Sequence, residues 1–194
     1  MPIPTDNWFY NNVQGIKTTI RIVFGIVWGV DGALKFMPGM TETFSTAIAQ
    51  AGAGQPAWLG GWFTFWSNIV SSNPAFFVYM IGTLELTLAF ALIFGFLRKL
   101  AWGGGFLLSF FIWAIPEGFG GAYGPGSTDI GTGIIYAIVF LCLMVFNASF
   151  GPSRFSLDYL IEKHWPKWAL LAEIKNKSGF DTSLKCYYLR RKKK

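Results

Sequence analysis

Residues 75–97 read AFFVYMIGTLELTLAFALIFGFL, an apolar run with one carboxylate, Glu85, near its middle. A run of about 20 apolar residues suits one helical crossing of a bilayer. Arg98 and Lys99 follow at once. Three comparable segments lie around it, at about residues 18–37, 99–115 and 130–150. Pro38, Pro74, Pro116 and Pro152 fall at the expected ends, where proline is tolerated. The expectation is an all-α membrane protein: a four-helix transmembrane bundle with an interfacial helical outer loop and a cytoplasmic amphipathic tail.

Composition agrees with that class. Of 194 residues, 53% are hydrophobic and 13% are charged, against about 25% charged in a soluble domain. Mean hydropathy is +0.42. Twenty Phe and nine Trp suit aromatic belts at the membrane surfaces. No cleavable leader is expected before the first apolar run. Cys142 lies in an apolar run and Cys186 in a basic tail, so a disulfide is not expected.

Charge predicts orientation. Arg98 and Lys99 occupy the short link between the second and third spans. Eleven of the sixteen basic residues follow Phe150. The other two links, 38–74 and 116–129, contain no Lys or Arg. Cytoplasmic loops carry the basic excess, so both termini are expected in the cytoplasm of a multi-pass cell-membrane protein. Residues 1–150 then form the transmembrane domain and 151–194 a basic cytoplasmic tail. Two amphipathic pieces of that tail, FSLDYLIEKHW and WPKWALLAEIK, flank Pro166. Attraction to anionic membrane lipid is the favoured reading, and docking to another subunit the alternative. Nucleic-acid binding is not expected beside a membrane.

The outer link 38–74 places Trp58, Trp62, Phe65 and Trp66 at helical spacing. A helix lying in the headgroups is favoured over a lid above a lipid-accessible site. The link 116–133, PEGFGGAYGPGSTDIGTG, carries seven glycines, Tyr123 and two carboxylates, Glu117 and Asp129. A plain connector needs only a few polar residues, so a compact fold at the membrane surface is expected.

The ionisable residues inside the spans are the candidate site. Glu85 is either a proton acceptor and headgroup partner or a structural bond between helices. Asp31 and Lys35 are four apart and can pair, with a packing role favoured over a functional one. Arg21 reads as a boundary marker. Gly82, Glu85 and Ala89 share a face that is expected to meet the charged face of the first span. Asp31, Lys35 and Glu85 would then form one polar core. Gly25 and Gly29 allow a second helix to approach closely.

Several chemistries lack their residues. His164 is the single histidine. No haem ligand pair, CxxC, Fe–S spacing or strand-linked GxGxxG occurs, so no haem, metal or flavin is expected. No Ser–His–Asp arrangement is credible. Matched broken helices, the mark of many transporters, are not apparent.

Residues 21–36, RIVFGIVWGVDGALKF, resemble the opening helix of DoxX-like membrane proteins. Residues 116–138, PEGFGGAYGPGSTDIGTGIIYAI, resemble the outer loop of the DoxD/DoxX-like family, which supplies the membrane subunit of thiosulfate:quinone oxidoreductase in thermoacidophilic archaea. The likeness covers about residues 16–150. It implies oxidation of thiosulfate to tetrathionate in the respiratory chain, with electrons passed to a membrane quinone, caldariellaquinone-like by that resemblance. It also implies a DoxA-like small subunit. It supplies no catalytic residues, so these follow from physics. Glu85 and Asp31 are the candidate proton acceptors. Trp28 and Trp113 are candidates to stack on the quinone ring. Lys35, Glu117, Tyr123 and Asp129 are the candidates around the thiosulfate. Backbone N–H groups at the start of the fourth span suit an anion, while Glu117 and Asp129 oppose one. Asp129 can instead cap the helix, with Ser127 or Thr128 sharing the role. The alternative is a non-catalytic accessory subunit of a terminal quinol oxidase.

Overall fold

The computed structural model describes residues 8–124, 127, 129–151 and 155–174. Among these the chain is helical, without strands. Its helices are α1 (Trp8–Leu34), α2 (Met40–Gln50), α3 (Gly60–Ser72), α4 (Pro74–Phe94), α5 (Arg98–Ala114), α6 (Thr132–Phe150), α7 (Leu157–His164) and α8 (Ala169–Ala172). Short 3-10 turns occupy Ala57–Leu59, Gly118–Gly120 and Pro166–Trp168.

Three helical stretches are long and apolar enough to cross a membrane: Asn12–Leu34, Pro74–Phe94 and Thr132–Phe150. Their outward faces expose Val23, Ile26 and Val30, Phe76, Leu84 and Phe90, and Ile135, Ile138 and Val145. Apolar surface on this scale suits lipid rather than water. Helix α5 is shorter and lies against α6.

Local chemistry sets the ends of α4. Asn73 accepts the Phe76 N–H at 3.2 Å, Pro74 occupies the first turn, and Gly95 closes the helix at φ 65°. The left-handed geometry at Gly95 favours glycine. A side chain there would also collide with the Arg21 guanidinium. Helix α1 begins at Trp8, well before the expected residue 18. Lys17 and Arg21 do not mark its boundary, because both turn inward and are buried.

The helices pack as two close pairs, α1 with α4 and α5 with α6. Small residues permit both. A Cβ on Gly25 would lie 2.8 Å from Ile93, and one on Gly82 would lie 2.8 Å from Lys35 Cβ. Gly29 faces Ala89, so the expected close approach is present. Gly105 accommodates the ring of Phe140 from α6. A core of Phe24, Trp28, Leu88, Leu92, Trp102, Phe140 and Leu143 joins the pairs.

The links at 38–74 and 116–131 pack together at one end of the bundle. Trp62 of α3 donates to the Ala114 carbonyl at 2.9 Å, and Gln55 donates to the Gly118 carbonyl at 2.6 Å. Trp62 and Phe63 both contact the Phe119 ring. Trp58 and Phe65 point outward. At the other end, α7 and α8 fold back onto the start of α5.

Candidate functional site

Glu85 sits between α1 and α4, 2% exposed. Its Oε2 lies 3.5 Å from Lys35 Nζ and has no hydrogen-bond partner. The helix-close glycines place both groups, since Gly32 seats its backbone beside Glu85 and Gly82 seats beside Lys35. The expected facing of the two polar helix faces is therefore present. The expected Asp31–Lys35 pair is not: Lys35 turns across the interface to Glu85. Asp31 is half-buried and adds its negative charge to the environment of Glu85. A buried carboxylate needs a counter-ion more than a partly hydrated one does, and it lies across the closest helix contact.

The tryptophans are apart. Trp28 is buried in the aromatic core, with its ring centroid 6.2 Å from Phe24 and 5.8 Å from Phe140. Trp113 lies beneath the glycine-rich loop, edge-on to Phe119, and donates to the Ile130 carbonyl at 2.8 Å. The two have different surroundings, one among the core rings and one under the glycine-rich loop. Trp28 serves packing.

The glycine-rich loop is held by its own acid. Glu117 accepts the Gly133 N–H at 2.9 Å, at the start of α6. Negative charge at a helix N-terminus satisfies orphan donors and the helix dipole. The expected anion position is thus taken by the chain itself. Asp129 is not the N-cap. Helix α6 starts at Thr132 behind Gly131, and Asp129 accepts the Gly131 N–H at 2.7 Å in a local turn. Ser127 closes the loop between Gly124 N–H and the Ala122 carbonyl. Thr128 lies outside the described residues. Tyr123 is exposed, and its hydroxyl donates to the Phe119 carbonyl at 2.6 Å. Lys35, the expected thiosulfate cation, is engaged by Glu85.

A second polar cluster, which the sequence reading missed, occupies the opposite end. Arg98 is 1% exposed and meets three carboxylates: Asp158 at 3.0 Å, Glu162 at 3.4 Å, and Glu173. Asp158 also accepts the backbone N–H groups of Leu97 and Arg98, each at 2.9 Å. It therefore caps α5, which has no side-chain cap of its own. Trp168 donates to Asp158 and Asn147 donates to Glu173. Burial pushes the Glu173 carboxyl up to about 7, although Arg98 and the Asn147 amide pull it down. Lys17 donates to the Gly151 carbonyl, and Arg21 donates to the Phe155 carbonyl at 2.7 Å. The amphipathic acid spacing in 155–173 was the available signal. The basic charge of the tail directs the sequence reading to anionic lipid or another subunit and leaves these acids unused. The final basic run lies outside the described residues.

Comparison of the chain with protein-family models, with curated proteins and with solved structures finds no match.

Proposed function

We propose that the chain is the membrane subunit of a thiosulfate:quinone oxidoreductase of the DoxD/DoxX-like kind. Helices α1, α4, α5 and α6 are its four spans, with both termini in the cytoplasm. The observation that carries the reading is Glu85, a buried carboxylate whose Oε2 lacks a hydrogen-bond partner and has one counter-ion, Lys35. An acid in that setting suits proton delivery to a reduced carbonyl oxygen. Two thiosulfate ions lose one electron each to form tetrathionate. A quinone takes both electrons and two protons to become quinol. Glu85 supplies one proton, and Lys35 stabilises the carboxylate left behind. Asp31 reloads Glu85 from the aqueous side, and the second proton of the quinol follows the same route.

Thiosulfate is a dianion and stays outside the lipid. Glu117 fills the helix terminus that would otherwise attract it, so a DoxA-like small subunit supplies the positive charge. The glycine-rich loop is then a rigid outer cap and docking surface. The test is thiosulfate-dependent quinone reduction by this chain with that partner. Glu85→Gln is isosteric and should assemble normally while turnover falls about 10²–10⁴-fold, the usual worth of a positioned acid. Normal turnover in that variant removes Glu85 from the mechanism.

A second reading, an accessory subunit of a terminal quinol oxidase, draws on the exposed Trp58 and Tyr123 at the loop end. Aromatic side chains in such positions suit docking to a neighbour. Co-isolation with haem-bearing subunits, without thiosulfate activity, favours it.

A further inference from the structure

Helix α7 is amphipathic the wrong way round for water. A helix on a watery surface turns its charged side chains out and its apolar ones in. In α7 the acids Asp158 and Glu162 point inward and are buried on Arg98, while Leu157 and Leu160 point away from the bundle. Leu160 is 55% exposed. The inversion continues past α7: Glu173 is buried, and Trp165, Leu170 and Leu171 are exposed, Trp165 by 69%. A buried guanidinium accounts for the inward acids. It does not account for the apolar surface left outside, which water penalises.

Two observations identify what covers it. The first is continuity. Phe90, on the outward face of α4, meets Phe96 at a centroid distance of 6.4 Å, and Phe96 meets Trp168 at 5.7 Å. This row of rings carries the apolar outer surface of α4 to the turn between α7 and α8. The second is charge. All three acids among residues 155–174 are buried, while Lys99, Lys163 and Lys167 are exposed. The outward side of this end is therefore apolar with lysines and shows no acid among the described residues. At the opposite end the exposed charges are acidic, Glu42 and Asp129. Apolar and aromatic side chains edged by lysines match the boundary between acyl chains and anionic headgroups. Helix α7 has eight residues, a length of about 12 Å, so it lies along that boundary and does not cross the bilayer.

We propose that residues 155–171 are an in-plane anchor that docks on an anionic lipid leaflet. The outward side of α7, Trp165 and α8 enters the acyl boundary, and Lys99, Lys163 and Lys167 meet the lipid phosphates. A groove lined by Trp165, Pro166, Lys167, Trp168 and Leu171 receives a headgroup beside the Lys167 ammonium. The inward side of the same segment carries the acids that grip Arg98 and cap α5. Lipid on one side thereby holds the fastener of the bundle's base on the other. The anchor is independent of the quinone reading, since it involves neither Glu85 nor the outer loops.

The experiment uses the full chain with Cys142→Ser and Cys186→Ser, in nanodiscs of phosphatidylcholine alone or in equal parts with phosphatidylglycerol. A spin label on Leu160→Cys or Leu170→Cys should collide more with oxygen, which dissolves in lipid, than with a water-soluble nickel chelate. A label that favours the chelate overturns the proposal. So does a label shielded from both agents, because a protein surface then covers the face. Chymotrypsin cleavage between residues 155 and 171 should be slower in the anionic discs. Lys163→Gln together with Lys167→Gln should reduce that ratio of rates by about fivefold per lysine, the worth of a basic residue near an anionic surface. Equal cleavage in the two lipids, or a ratio that survives the double variant, overturns the proposal.

Discussion

Glu85 and Arg98 are both deeply buried charges, and the chain treats them differently. Glu85 has one cation, at 3.5 Å, and no hydrogen bond to the oxygen facing it. Arg98 has three acids and makes hydrogen bonds to each. Arginine presents its donors as a rigid fork, which suits several carboxylates at once. An acid left short of partners is free for chemistry, whereas a guanidinium gripped by three acids is a fastener. Glu173 adds a pH response to that fastener. Its ordinary value is 4.5, and burial raises it to about 7 in the folded chain. Between those values the folded chain holds more proton than the unfolded one. Stability is therefore lost as pH rises from about 4.5 to about 7. Protease cleavage within residues 155–174 should be slower at pH 5 than at pH 7.5. Glu173→Gln should flatten that difference, and a slope that survives the substitution would assign the effect elsewhere.

Among the elements, the tight pairs rest on missing side chains. The α5–α6 contact is the sharper test, because the Cβ of Gly105→Ala would enter the Phe140 ring, and Phe140 is fully buried. Overpacking of this kind costs about 1–3 kcal/mol. Unfolding in detergent should register that loss, while Gly103→Ala, which meets no neighbour within 4 Å, should be near neutral. Equal stability of the two variants would deny the close packing. The helices themselves were legible in the sequence, since long apolar runs bounded by proline leave few alternatives. So was the meeting of the Gly82–Glu85–Ala89 face with α1. The caps were not. A capping signature in sequence is local, spanning three residues, yet Asp158 caps α5 from 61 positions away and Glu117 reaches α6 across 16. Arg21, read as a boundary marker, misled for a related reason, and Lys17 drew no reading at all. A basic residue near the end of an apolar run looks like a surface marker, and only the folded chain shows that both point inward.

On the scale of the whole molecule, the chain is a pair of helix pairs closed at both ends. One end is covered by the α2–α3 hairpin and the glycine-rich loop, the other by α7 and α8. Basic residues gather at the second end. A reporter fused after Lys194 should read as cytoplasmic, and a cysteine at Ser127 should react with an impermeant reagent from outside; the opposite pattern would invert the proposed orientation. That arrangement has a consequence for how the chain is made. Arg98 enters the bundle's base with α5, but Glu173, one of its counter-ions, lies 75 positions later. Translation proceeds at about 5–20 residues per second, so Arg98 waits on the order of 4–15 s for that acid to leave the ribosome. Until Asp158 and Glu162 emerge, shortly before Glu173, the newborn helices carry an uncompensated guanidinium. Docking of residues 155–174 therefore completes the base of the bundle.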